Sequence, residues 1–151
     1  MAVPWRIHCP GAGFLRIDEQ GQEVDSAMDD CIFCKIVTGD IPADIVYQDE
    51  HVLAFRDLNP QAPTHALVIP RRHISTLNDL VDDDAELIGR MHLAARTVTE
   101  QDGIAVSGYR TVFNCNEGAG QTVFHIHLHV LGGRRMTWPC LLYTSPSPPD
   151  Q

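Results

Sequence analysis

The stretch "FHIHLHVLGG", Phe124 to Gly133, places histidines at 125, 127 and 129 in alternation with Ile126, Leu128 and Val130. Alternation is the period of a β-strand, whose successive side chains point to opposite faces. Phe124, Ile126, Leu128 and Val130 are therefore expected to face a core, and the three histidines to share the other face. A half-exposed strand that merely happened to carry histidine would accept any polar residue there, so three rings in a row point to chemistry. Neutral imidazole, with an unperturbed pKa of about 6.5, is available near neutral pH as a nucleophile or proton carrier. One metal ion cannot take all three. Positions i and i+4 of a strand lie roughly 13 Å apart, whereas zinc holds nitrogen at about 2.0–2.1 Å. Two neighbours can converge on one ion, which leaves at least one ring for another task. The middle ring, His127, is best placed for it, flanked by two rings able to hold its tautomer or donate a proton.

Just upstream, "NCNEGAGQT" offers Asn114, Asn116, Gln121 and Thr122 as hydrogen-bonding groups. Gly118 and Gly120 let the backbone approach a ligand and present N–H groups. Beside three histidines this loop reads as an anion-binding, phosphate-type candidate. Farther out, "DIVYQ" and "HVLAFRD" read as a hairpin about the turn-prone Asp49 and Glu50, and "THALVIP" as a third strand. Leu87, Met91, Ala95 and Val98 recur at helical spacing, with Asp82 to Asp84 suited to the N-terminus and Gly103 to the C-terminus. "YRTVFNC" and "VFHIHLHVL" supply two more strands. Strand, strand, strand, helix, strand, strand favours an antiparallel α+β domain over a doubly wound one.

The 151 residues, 44% hydrophobic and 21% charged, suit one globular domain. It is expected over residues 28–139, with Met28 as a candidate native start. Residues 1–27 show no clear period and are expected to be a disordered or non-native extension. Residues 140–151, "CLLYTSPSPPDQ", read as a disordered tail, or as translated sequence from outside a gene. No stretch approaches the roughly 18 apolar residues of a membrane span, and the first residues lack the apolar run of a signal peptide. A cytoplasmic protein without membrane contact is the expectation. The net charge of −9 and the lack of any basic stripe argue against nucleic acid as a partner. Five cysteines, two of them paired in "CIFC", do not make a disulfide framework. A C-x-x-C pair is a common zinc half-site with two tetrahedral positions still to fill. A redox pair is the weaker reading, because no βαβ pattern surrounds it.

The segment "GQTVFHIHLHVLGGR" resembles the His-x-His-x-His pattern of the histidine triad superfamily, where x is apolar. "CIFCKIVTGDIP", "DEHVLAFRDLNPQAPTHALVIPRRHI" and "GGRRMTW" are similar to the corresponding stretches of its nucleotide-binding branch, so the resemblance spans about Asp29 to Trp138. It implies a histidine-triad-like α+β fold: a five-stranded antiparallel sheet with one long and one short helix, the sheet extended across a homodimer. It also implies hydrolysis of purine nucleoside 5′-phosphoramidates and adenylated amines or acids to a nucleoside monophosphate. On that resemblance His127 is the nucleophile that forms a nucleotidyl-histidine, and His129 contacts phosphate. Asn114, Gln121 and Thr122 stand at phosphate or leaving-group positions, and Asp57 at the position that accepts bonds from the ribose hydroxyls. Ile32, Phe33, Ile36, Phe55 and Leu58 would enclose the base, although core packing explains those five equally well. His65 and His125 occupy the positions that complete a structural zinc site with Cys31 and Cys34. A reduced cysteine pair packed in the core is the alternative. His73 is read as a surface or helix-capping residue. A zinc-bound His125 would fix one wall of the site, and its carbonyl would orient His127.

Two other functions compete. Dinucleoside polyphosphate hydrolysis would use the same nucleophile with a different leaving group, but "HVLGGRRMTW" resembles the nucleotide-binding branch instead. A non-catalytic nucleotide-binding or regulatory module would bind adenosine monophosphate without turnover, against which the intact motif counts.

Overall fold

The computed structural model describes residues 30–138 and, as short strand segments, Arg16–Ile17 and Glu23–Val24. The chain divides into two units, Met1–Asp30 and Cys31–Gln151. In the first, β1 (Arg16–Ile17) pairs antiparallel with β2 (Glu23–Val24). The remainder of the expected 1–27 extension and the expected 140–151 tail lie outside the described residues.

The second unit opens with a short helix, α1 (Ile32–Thr38), stopped by Gly39 at φ 85°, a left-handed value that glycine adopts without strain. The strands β3 (Ile45–Gln48), β4 (Val52–Arg56) and β5 (Thr64–Pro70) follow. The β3–β4 turn forms because Asp49 Oδ1 accepts the N–H groups of His51 at 2.7 Å and Val52 at 2.9 Å, an Asx-type closure. The long helix α2 (Ala85–Gln101) is amphipathic, burying Met91, Ala94, Ala95, Val98 and Thr99. It ends ahead of Gly103, which sits at φ 71°. The strands β6 (Tyr109–Phe113) and β7 (Leu128–Gly132) complete one antiparallel sheet of order β3-β4-β5-β7-β6. This is the expected α+β, five-stranded antiparallel architecture with one long and one short helix. No helix among the described residues is long and apolar enough to cross a membrane.

The strand period sorts the core into two layers. Val52, Ala54, Ala66, Val68, Leu128 and Val130 pack with Met91, Ala94, Ala95 and Val98 of α2. Leu53, Phe55, Leu67 and Ile69 pack on the other face with Phe33 and Cys34 of α1. His129 is the cross-strand partner of Leu67, and His65 of Leu131. Directly opposed residues share a face, so both histidines lie on the α1 side.

Two expectations need correction. The strand "VFHIHLHVL" is shorter than expected: only Leu128–Gly132 is strand, and His125 and His127 lie ahead of it. The register that pairs Val68 with Leu128 would bring Ile126 opposite Pro70, which has no N–H to give a ladder. Ile126 N–H instead bonds Ile74 O at 2.8 Å, turning the backbone away. Phe124 correspondingly stays half-exposed, whereas Ile126, Leu128 and Val130 are buried. The aspartates before α2 form a 3-10 turn, Asp82–Asp84, without a side-chain cap bond to the helix. The Asp84 carboxylate turns back to Val81 N–H at 3.0 Å and to the Arg72 guanidinium.

Candidate active site and metal cluster

His125 is fully buried, and its Nε2 donates to Pro70 O at 2.8 Å. A carbonyl can only accept, so the neutral ring must keep the lone pair on Nδ1. That atom faces Cys31 Sγ at 3.5 Å and Cys34 Sγ at 3.6 Å. The fourth member is His73, whose Nδ1 lies 3.2 Å from Cys34 Sγ. All four donor atoms fall within 4.8 Å of one another. Tetrahedral zinc, with bonds of about 2.0–2.3 Å, separates its ligands by roughly 3.3–3.8 Å, close to the sulfur–nitrogen separations of 3.2, 3.5 and 3.6 Å.

The expected ligand His65 is not in this cluster. The resemblance placed it there on position alone, but its register opposite Leu131 carries it toward the far end of β7, beside His129. His73 belongs instead, because the chain turns after Pro70 and returns its ring to His125, with centroids 5.0 Å apart. The cysteines are held by the start of α1: Cys31 is its N-cap, and Cys34 N–H points at Cys31 Sγ at 3.5 Å. Burial, reinforced by the neighbouring Cys31, pushes the Cys34 thiol up to about 12. Without a cation the Cys34 thiol stays protonated, and a bound divalent ion would displace its proton.

On the other side of His127 lies a second group. His65 Nε2 is 3.0 Å from His129 Nδ1 and 3.4 Å from Asp57 Oδ2. Asp57, His65 and His129 also place ligand atoms within 4.8 Å of one another, but the nitrogen–nitrogen separation is that of a hydrogen bond. Between the two groups, His127 is 8% exposed, and its Nδ1 donates to His125 O at 2.8 Å. Its other nitrogen, Nε2, therefore carries the lone pair. Burial lowers His127 below the ordinary histidine value, against the opposing pull of the His125 carbonyl and Asp57. Burial likewise depresses His129 to about 4, helped by His127 and His65. Both rings are neutral at neutral pH.

His127 and His129 open into a cavity of about 360 Å³ shared with Thr122 and Asp57. The five expected apolar residues Ile32, Phe33, Ile36, Phe55 and Leu58 all line it. Phe33 and Phe55 are buried, and Phe33 meets His127 edge to face with centroids 5.2 Å apart. Ile32 and Leu58 are rim residues, Leu58 being fully exposed. A neutral imidazole, an aliphatic and aromatic slot, and a carboxylate at the mouth can together accommodate an anionic group joined to a planar apolar one. A wider depression of about 420 Å³ near the start of α2 is lined by Arg72, Asp84, Glu86 and Arg90. Those four groups are paired with one another as Arg72–Asp84 and Arg90–Glu86.

Two expected substrate contacts do not reach the cavity. Gln121 is buried and fully used: its amide donates to Ser75 O at 2.8 Å and Val123 O at 3.1 Å, and its Oε1 accepts from Asn116 N–H at 2.7 Å. It staples the loop that presents Thr122. Asn114 follows β6 and does not line the cavity. Sequence reasoning passed over Leu67 and Val123 in the slot, and His73 in the cluster. Leu67 lies in the apolar run of β5, which is buried throughout and so does not mark one face by alternation. His73 carried no signal, since only the turn after Pro70 brings it to the cysteines.

The family described as "Scavenger mRNA decapping enzyme C-term binding" matches residues 30–138. A purine nucleoside phosphoramidase of Escherichia coli K12 is 52% identical over 106 residues, covering 70% of this chain and 89% of the relative. Among solved structures, a HIT family hydrolase from Legionella pneumophila superposes with a TM-score of 0.72 at 55% identity, covering 73% of this chain and 98% of that one. A HIT family hydrolase from Clostridium thermocellum gives 0.71 at 46% identity, over 72% and 95% of the two chains.

Proposed function

The chain belongs to the histidine triad family, and from that premise we propose that this hydrolase cleaves purine nucleoside 5′-phosphoramidates and adenylated amines or acids through a covalent intermediate on His127. The observation that carries the reading is the 2.8 Å bond from His127 Nδ1 to His125 O. It leaves Nε2 as the nucleophilic atom of a ring that opens into the cavity, and burial keeps that ring unprotonated.

The Nε2 lone pair attacks the α-phosphorus. The phosphorus–nitrogen bond to the amine breaks, its electron pair leaves with the amine, and the amine takes up a proton. Water then attacks the same phosphorus and loses a proton, and the phosphorus–Nε2 bond breaks with its pair returning to the ring. The products are a nucleoside monophosphate and the amine. His129 and Thr122 contact the phosphate, Asp57 accepts from the ribose hydroxyls, and Phe33, Ile36 and Phe55 hold the base. The apolar slot and the 52% identity to a purine nucleoside phosphoramidase support the substrate class.

The Cys31, Cys34, His73 and His125 set is proposed to hold a structural zinc ion. When bound, that ion supplies rigidity through four protein ligands with no position left open. His125 meanwhile holds the proton of His127 on Nδ1 through its carbonyl. We also propose a homodimer, supported by the edge position of β6 in the sheet and the exposure of Leu93 on α2. Light scattering of the full chain tests it, and a monomer would refute it.

The test of the reaction is release of adenosine monophosphate from an adenosine 5′-phosphoramidate bearing a lysine or fluorescent amine. Release by the wild type and none by a folded His127→Ala variant is expected. A wild type that binds adenosine monophosphate yet never releases it from the substrate would make this a binding module.

A further inference from the structure

Between β4 and β5 the chain forms a loop closed on itself. Asp57 N–H donates to His65 O at 3.0 Å, and Asn59 N–H to Asp57 Oδ1 at 2.8 Å. The Gln61 side-chain amide donates to Asn59 O at 3.1 Å, and Arg134 Nε, from beyond β7, to Gln61 O at 2.9 Å. These bonds pin the Gln61 backbone, whose N–H lies 3.0 Å from Nδ1 of His65. A backbone N–H only donates, so Nδ1 of His65 presents its lone pair and the neutral ring carries its proton on Nε2. That N–H points at Nδ1 of His129, with the two nitrogens 3.0 Å apart. Two N–H groups cannot face each other at such a distance, so Nδ1 of His129 is the acceptor. His129 then carries its own proton on Nε2, the nitrogen left for the cavity.

We propose that His65 is a positioning residue: together with the Gln61 N–H it fixes the tautomer of His129, so that His129 always presents an N–H, never a lone pair, to an anionic phosphate. This rests on the reading of His129 as a phosphate contact. The opposite tautomer would set a lone pair against phosphate oxygens, which repels where the donor attracts. The burial of His65, at 5% exposure, protects the arrangement from competing water. Asp57 adds to it, since its Oδ2 at 3.4 Å offers the same Nε2–H a second, weaker acceptor.

Two substitutions separate this role from a merely structural one, because glutamine and asparagine each reproduce one nitrogen of the ring. In His65→Gln the side-chain amide can still donate to His129 but gives the Gln61 N–H no ring acceptor. In His65→Asn the amide oxygen can still accept from the Gln61 N–H, but no donor reaches His129. The kcat and KM of both are measured on an adenosine 5′-phosphoramidate, with adenosine monophosphate binding as the check of folding. His65→Gln is expected to keep kcat within about threefold. His65→Asn is expected to lose about ten- to a hundredfold in kcat with KM little changed, the scale on which an orienting partner matters. Correlation of ring protons with ring nitrogens by NMR on the full-length wild type reads the tautomer directly and depends on no variant. A protonated Nε2 and bare Nδ1 on His129 are expected.

The proposal is overturned if His129 carries its proton on Nδ1, or if His65→Asn turns over like the wild type while His65→Gln does not. A wild type with no turnover would refute the hydrolytic reading instead, and the ring spectrum would still decide the tautomer.

Discussion

His125 and His129 stand four residues apart on one segment, yet they sit in unlike company. His125 sits between two thiols and the His73 imidazole, supplied by the start of α1 and the turn after β5. His129, beside His127, meets the His65 imidazole and the Asp57 carboxylate from the end of β4 and the start of β5, and it opens to a cavity. The first group is closed and suits an ion; the second is open and suits a ligand. His127 lies between and takes one property from each: its tautomer from the His125 carbonyl, its access from the cavity beside His129. A run of alternating histidines can thus divide holding from reacting within five residues.

The division breaks most visibly at the middle ring. His127→Ala should lower nucleotide release by at least about a thousandfold, the scale of losing a nucleophile, while metal content by elemental analysis stays at the wild-type level. Loss of metal in that variant would show that the two groups are not separable.

On the closed side, Cys34→Ser should abolish metal binding and lower thermal stability. A metal at a thousandfold excess over its dissociation constant contributes about 4 kcal/mol. A chelator should therefore lower the wild-type Tm by several degrees and leave that of Cys34→Ser unmoved. Replacing His65, the ligand expected from sequence, should leave metal content unchanged, whereas His73→Ala should reduce it.

A control at a residue that belongs to neither group sharpens the contrast. Asp102, at the end of α2, accepts from Arg56 Nη2 at 2.7 Å and from Thr64 Oγ1 at 2.8 Å. The Arg56 hydrogen bond, with Thr64 assisting, holds its carboxyl below the usual carboxylate range. A depressed folded value means that the stabilisation is fully present above the unfolded value of about 3.9 and is lost as pH falls through the folded one. Asp102→Asn should cost about 1 kcal/mol at neutral pH, since the pair is only partly buried. The difference should fade in chemical denaturation curves taken below about pH 3. Metal content and turnover should not change.

The smallest effect is expected at the rim. Leu58 is fully exposed, so Leu58→Ala should move stability by less than about 0.5 kcal/mol. The KM for adenosine and guanosine phosphoramidates should shift by no more than about threefold, a fraction of the value of one fully buried apolar side chain. A tenfold rise would place the base against this side chain and make the rim a wall.

The comparison also marks how far the sequence could be read. Five strands, the long helix and the helix stop at Gly103 were legible, because alternation and the 3.6-residue period survive wherever one face is buried. The alternation of the histidine triad was legible for the same reason, whereas the apolar slot was expected only from the family resemblance, since Phe55 and His129 come to one face through the pairing of each with Leu67. The start of β7 was not legible, since it depends on Pro70 standing across the sheet, a pairing set by register and not by local pattern. His73 joins the cysteines and His65 joins His129, neither as expected, because each is positioned by a turn or a loop bond, Ile126 N–H to Ile74 O and Gln61 N–H to His65 Nδ1. Gln121 looked like a ligand group because an amide beside glycines is suited to one; its burial against Ser75 O and Val123 O gave it another use.

The nucleophile is tested most directly by quenching the wild type in acid-free denaturant during turnover of an adenosine 5′-phosphoramidate and mapping the modified peptide by mass spectrometry. A nucleotidyl group on His127, formed and lost at rates that match turnover and absent from His127→Ala, is the expected result. Turnover with no adduct, or an adduct on His129 or His65, would contradict it.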